Sequence, residues 1–181
     1  MAVSVAEKRP AVFVDKDGTL VENVPYNVDP ARIELAPGAE EAVGAFARNG
    51  FRVFVISNQP GAALGFFPEE KLKDVERRLR ELLDDGIDGF YYCPHAPDAG
   101  CRCRKPSPEM LLRAAREHGL DLERSWMIGD ILDDVEAGRR AGCRTCLIDN
   151  GNETEWKQGP LRRPDRVAAD LGAAAAMIVG R

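Results

Sequence analysis

The chain has 181 residues, 44 % of them hydrophobic and 30 % charged, with a formal net charge of -5. That length suits one domain with a substantial core, and the acidic balance argues against a basic nucleic-acid surface. No segment is apolar for long enough to span a membrane, and residues 1–10 carry Glu7, Lys8 and Arg9 where a signal peptide would be apolar. With no address, the expected location is the cytoplasm, and a monomer is the default.

Residues 11–14 form a short apolar, β-rich run that ends at Asp15 and predicts a buried strand. A polar loop with Pro25, Asn27 and Pro30 follows. Ala42, Val43, Phe46 and Ala47 then recur at helical spacing until Asn49-Gly50 stops them. Residues 51–56 predict a second strand, ending at Ser57. Pro68 opens a charged helix with Leu72, Val75, Leu79 and Leu82 on one face. A third strand is predicted over residues 89–92, then a loop dense in Cys and Pro over 93–108. Residues 110–118 predict a helix stopped by Gly119, 125–128 a fourth strand closed by Gly129-Asp130, 135–141 a helix and 143–148 a fifth strand. Residues 150–164 are irregular, and 167–179 have room for one more strand and a closing helix. Cys143 and Cys146 read as core residues, Asp133 as solvent-facing, and Trp156 as lining a surface groove.

Strands alternating with helices predict a parallel sheet covered on both faces. Ligands of such sheets bind beyond the carboxyl ends of the strands. Asp15, Ser57, Cys93 and Asp130 all fall at predicted strand ends, which points to one shared site. The Asp15 carboxylate is a fixed nucleophile with a sharp turn allowed by Gly18, and Asp17, two residues on, suits proton transfer. The Ser57 hydroxyl and the segment Asn58-Gln59 can hold anionic oxygens. Lys105 offers a positive charge, and Asp130 a hard oxygen ligand for Mg²⁺ with Asp134 four residues behind it. Separately, Cys93, His95, Cys101 and Cys103 give the pattern C-x-H-x5-C-x-C. Three thiolates and an imidazole suit a closed, structural Zn²⁺ site, which would fold the loop that presents Arg104 and Lys105.

The segment Asp15-Lys16-Asp17-Gly18-Thr19, followed in order by Ser57, Lys105 and Gly129-Asp130, resembles the signature of haloacid dehalogenase-like phosphatases. The zinc motif narrows the resemblance to the zinc-loop branch, which holds the heptose-bisphosphate and histidinol-phosphate phosphatases, and it runs from about residue 12 to 148. It implies a single Rossmann-like, three-layer α/β domain over residues 1–181, with a parallel central sheet, a zinc-stapled loop and no large cap. It also implies catalysis by Asp15, Asp17, Ser57 and Lys105, and Mg²⁺ held by Asp15, Asp130 and the Asp17 carbonyl. Substrate contacts come from Asn23, Tyr26, Asn58, Gln59 and Arg104, with Asp134 supporting from behind. The implied partner is a small phosphorylated metabolite, a sugar phosphate or bisphosphate. The chain departs from the heptose pattern at Ile131, often Lys, at Pro60, usually Ser, and at Glu109, usually Gly. A non-catalytic phosphate-binding zinc scaffold would have no need of Asp15, Asp17, Lys105 and Asp130 together. A response-regulator receiver would not carry its nucleophile on the first strand.

Overall fold

The computed structural model describes residues 7–180. Most of the opening segment considered above, residues 1–6, lies outside the described residues. Six parallel strands form one sheet in the order β3-β2-β1-β4-β5-β6: β1 Arg9–Val14, β2 Arg52–Asn58, β3 Gly89–Cys93, β4 Leu120–Gly129, β5 Arg144–Ile148 and β6 Arg166–Ala168. The helices are α1 Ala39–Arg48, α2 Leu72–Leu82, α3 Glu109–His118, α4 Leu132–Ala141 and α5 Leu171–Val179. A short 3-10 turn, Glu69–Lys71, precedes α2, where the sequence predicted helix directly after Pro68.

The period-2 geometry of the strands sorts the core into two layers. Val12, Val14, Val53, Val55, Ile128 and Ile148 point to the face covered by α1, α2 and α5. Ala11, Phe13, Phe54, Ile56 and Met127 point to the face covered by α3 and α4. Each fully buried aliphatic or aromatic side chain contributes roughly 1.5–3 kcal/mol, and the central strands are apolar on both faces because both faces are covered.

Local signals set the ends of the helices. Glu40 and Glu41 stand in the first turn of α1 and Arg48 in its last, matching the helix dipole. The Asp170 side chain accepts from the Ala173 N–H at 2.7 Å and caps α5. Gly119 ends α3 in the left-handed conformation. Two expectations need correction. Asp133 is not simply solvated, because Arg162 donates to it at 2.6 Å. Cys143 lies just before β5 rather than in it, although it is buried. No helix among the described residues is long and apolar enough to cross a membrane.

The strand order reverses direction at β1, which has β2 on one side and β4 on the other. This is the topological switch point, where the loops leaving adjacent strands diverge and open a crevice. The loops after β1, β2 and β4 meet there.

Candidate active site

Asp15 follows β1 directly, and its N–H still donates to the Ile128 carbonyl of β4 at 2.9 Å. The ladder thus sets Asp15 beside Asp130, which follows β4. The loop then folds back: the Leu20 and Val21 N–H groups both donate to the Lys16 carbonyl at 3.0 Å. Gly18 has φ +82° at this turn, and a Cβ there would lie 2.2 Å from Asp130 Oδ2. Only glycine lets the nucleophile loop pass so close to the neighbouring carboxylate.

Lys105 is the hub of the site. Its Nζ lies 2.5 Å from Asp15 Oδ1, 2.6 Å from Asp134 Oδ1 and 3.0 Å from the Ile56 carbonyl. The Lys105 side chain is 2 % exposed and that of Asp134 is fully buried. Asp134 sits in the first turn of α4, and a Cβ on Gly129 would be 2.1 Å from its Oδ2, so the small residue before Asp130 makes room for the carboxylate behind it. Asp15, Asp130 and Asp134 each bring an oxygen within 4.8 Å of the others, close enough for one cation.

Three buried carboxylates thus face one ammonium. Burial pushes Asp15 up to about 7, with Lys105 opposing and Asp134 and Asp17 adding to the rise. Burial and then the Asp15 charge push Asp130 up to about 7, and burial pushes Asp134 up to about 6 against the pull of Lys105. Burial works against the Lys105 charge, but Asp134 and Asp15 outweigh it and its pKa is raised. With all four groups ionised the cluster carries two surplus negative charges, the amount one divalent cation neutralises.

Around this hub the other residues take specific places. Gln59 Nε2 donates to Asp17 Oδ2 and to Ser57 Oγ, both at 2.8 Å, and the Lys16 ammonium, itself buried, lies 2.5 Å from Asp17 Oδ1. The Asp17 side chain remains 31 % exposed, so solvent and a ligand can reach it. Asn58 holds the lysine loop. Its Oδ1 accepts from the Lys105 N–H at 3.0 Å and its Nδ2 donates to the Lys105 carbonyl at 3.3 Å. Both amide atoms hold the backbone of Lys105, so Asn58 positions the lysine. Tyr26 and Phe66 stack with ring centroids 4.5 Å apart as an exposed lip from the loops after β1 and β2. Asn23 is exposed on the first of these loops and borders a cavity of about 410 Å³ with Gly18, Thr19 and Asn152. Arg104 is partly buried, and its Nη1 has no hydrogen-bond partner among the described residues.

Cys93, at the end of β3, belongs to a second cluster rather than to the acidic one. Its Sγ lies 3.0 Å from that of Cys103 and 3.5 Å from that of Cys101, and His95 Nδ1 lies 3.2 Å from the Cys103 sulfur. These four ligand atoms lie within 4.8 Å of one another, a spacing that fits tetrahedral N/S coordination. The two clusters are tied together by the Gln59 N–H, which donates to the Cys93 carbonyl at 2.7 Å.

Sequence reasoning missed Lys16 as a partner of Asp17, and it missed the loop after β5. Asn150 donates to the Gly18 carbonyl and Asn152 to Asp130 Oδ2, each at 2.7 Å, while Glu153 accepts from the Leu132 N–H at 2.7 Å. One signal was present: Asn150 comes two residues after the end of β5, close behind a strand end, much as Asp15 and Asp130 directly follow β1 and β4.

The carboxylate shifts carry a pH dependence of definite sign. A carboxyl whose pKa is raised by folding favours the folded state when protonated. That contribution is lost as pH rises from about 4, the unfolded value, through the folded values of 6 to 7. A divalent cation stabilises the ionised form, so added Mg²⁺ is expected to raise Tm more at about pH 8 than at about pH 5, where protons compete. Thermal scans with and without Mg²⁺ at the two pH values check this, and an equal or larger gain at low pH contradicts it.

Comparison with known proteins agrees with this geometry. A family model described as HAD-hydrolase-like matches residues 102–174. The chain is 32 % identical to the D-glycero-beta-D-manno-heptose-1,7-bisphosphate 7-phosphatase of Pseudomonas aeruginosa, over 94 % of this chain and 98 % of that protein. It is 35 % identical to the D-glycero-D-manno-heptose-1,7-bisphosphate 7-phosphatase of Thermosynechococcus vestitus, over 92 % and 93 %. Among solved structures, the D,D-heptose 1,7-bisphosphate phosphatase of B. bronchiseptica, complexed with magnesium and phosphate, matches with a TM-score of 0.84 and 31 % identity, covering 94 % of this chain and 98 % of that one. The chain therefore belongs to the haloacid dehalogenase-like hydrolases, in the family of the heptose-1,7-bisphosphate 7-phosphatases.

Proposed function

We propose that this chain is a Mg²⁺-dependent phosphomonoesterase that removes the 7-phosphate of a D-glycero-D-manno-heptose 1,7-bisphosphate through an aspartyl phosphate on Asp15. The observation that carries the reading is the buried contact of Lys105 with Asp15 and Asp134, at 2.5 and 2.6 Å, beside Asp130. The names of the relatives supply the substrate class.

In the first step an Asp15 oxygen attacks phosphorus in line, and Asp17 protonates the departing ester oxygen. In the second, Asp17 takes a proton from water, which attacks phosphorus and frees Asp15 and inorganic phosphate. The exposure of Asp17 lets both the leaving group and water reach it, and Lys16 and Gln59 fix its orientation. The Lys105 ammonium and the Ser57 hydroxyl, buried at 1 % exposure, face charge on the transferring oxygens. Asp15, Asp130 and the Asp17 carbonyl would hold magnesium, which offsets carboxylate charge and polarises the phosphoryl group when bound. Arg104, partly buried and next to Lys105 in the chain, would supply a planar cation for an anionic group of the substrate. Cys93, His95, Cys101 and Cys103 would hold zinc as a closed site that stiffens the loop bearing Arg104 and Lys105.

Asp15→Asn is expected to lower release of the 7-phosphate by about 10⁴-fold or more. Phosphate assays on the purified variant check this, and undiminished turnover removes Asp15 from the role of nucleophile. A panel of heptose bisphosphate, histidinol phosphate and other sugar phosphates tests the substrate, with the highest kcat/KM expected for the bisphosphate. Elemental analysis of protein kept under reductant is expected to give about one zinc per chain. A chain that is active and free of zinc would contradict the zinc site.

A further inference from the structure

The loop that follows β5 makes three contacts onto three different elements within four residues. Asn150 Nδ2 donates to the Gly18 carbonyl in the loop after β1, Asn152 Nδ2 donates to Asp130 Oδ2 at the end of β4, and Glu153 Oε2 accepts from the Leu132 N–H that opens α4, all at 2.7 Å. The Asn152 N–H donates to Asn150 Oδ1 at 3.2 Å, which sets the two amides in register with each other. The fit is close: the same hypothetical Cβ on Gly18 that meets Asp130 Oδ2 at 2.2 Å meets Asn152 Nδ2 at 2.4 Å. A surface loop with only polar ornament would not converge in this way on a carboxylate that is 4 % exposed.

From this geometry we infer that Asn152 is a positioning residue for the catalytic cation, fixing the rotation of the Asp130 carboxylate by its bond to Oδ2 so that the other oxygen is presented toward Asp15. The inference rests on the reading of Asp130 as a magnesium ligand. A carboxylate free to rotate spends part of its time with neither oxygen aimed at the cation, and a single amide donor removes that freedom. Donors to ligating carboxylates typically change metal affinity 10- to 100-fold on removal. Asn150 and Glu153 hold the loop at its two ends, and Glu153 accepts from the Leu132 N–H, one of the first N–H groups of α4 that the helix itself leaves without a partner.

The test uses Asn152→Leu, which keeps the volume and removes the donor, and Asn152→Ala, which removes both. Calorimetric titration of each folded variant with Mg²⁺ alone, without substrate, is expected to give a Kd raised about 10-fold or more. Turnover of the heptose bisphosphate is expected to fall at low Mg²⁺ and to recover toward the parent kcat at saturating Mg²⁺, with KM for the phosphate ester little changed. A lowered Tm with an unchanged Mg²⁺ Kd in both variants would make Asn152 a structural residue and overturn the inference. Asp130→Asn serves as the control and is expected to lose Mg²⁺ binding. If it binds Mg²⁺ like the parent, the metal reading of Asp130 falls, and this inference with it.

Discussion

The Lys105 ammonium lies between the carboxylates of Asp15 and Asp134, in a pocket that leaves 2 % of it exposed. A buried lysine with no partner would lose its proton, and a buried aspartate with no partner would keep one. Together they can stay charged, but one lysine cannot balance Asp15, Asp134 and Asp130. When the three are ionised, the surplus of negative charge favours a cation among them. It also makes the site demanding to build, because removing any one member leaves the others unbalanced in a medium of low dielectric.

Much of the surrounding chain can be understood as fixing where Lys105 goes. The lysine comes from a loop, not from a strand, and a long loop has many conformations. Asn58 at the end of β2 holds its backbone on both sides. The thiol and imidazole cluster pulls in the same loop two residues upstream, and the Gln59 N–H joins that cluster to the Ser57 and Asp17 side. Gly18 and Gly129 work by omission, since a side chain at either would occupy the space of Asp130 or Asp134. The loop after β5 closes the remaining side through Asn150 and Asn152.

Most of the sheet and its helices were legible because the central strands hold short apolar runs ended by a polar residue and most helices have a 3.6-residue stripe with a clear stop, whereas the polar first half of β4, with Asp121, Glu123 and Arg124, starts five residues before the predicted strand. Asp15, Ser57 and Asp130 were legible for the same reason, as polar residues at strand ends. The thiol and imidazole cluster could be anticipated from ligand type and spacing alone. The side-chain wiring was not legible. Nothing in the string Asn58-Gln59 says that one amide grips the Lys105 backbone while the next bridges Ser57 and Asp17. Those roles depend on where a residue 47 positions away returns to the sheet. Asn152 was hidden for the same reason. Its partner Asp130 is 22 residues distant, on the far side of α4 and β5, and the loop that bears Asn152 has no periodicity to read.

The charge imbalance can be measured through its protons. Raised carboxyl groups hold protons near pH 7 that a cation must displace, so binding of Mg²⁺ releases them to the buffer. Titration calorimetry of Mg²⁺ in buffers of different ionisation enthalpy counts that release. Near pH 7 a net release is expected, and it should fade toward zero by about pH 9, where the carboxylates are already ionised. Binding of Mg²⁺ with no proton release near pH 7 would mean that the three carboxylates are already fully charged in the metal-free protein, and the account of the site given by its electrostatics would be wrong.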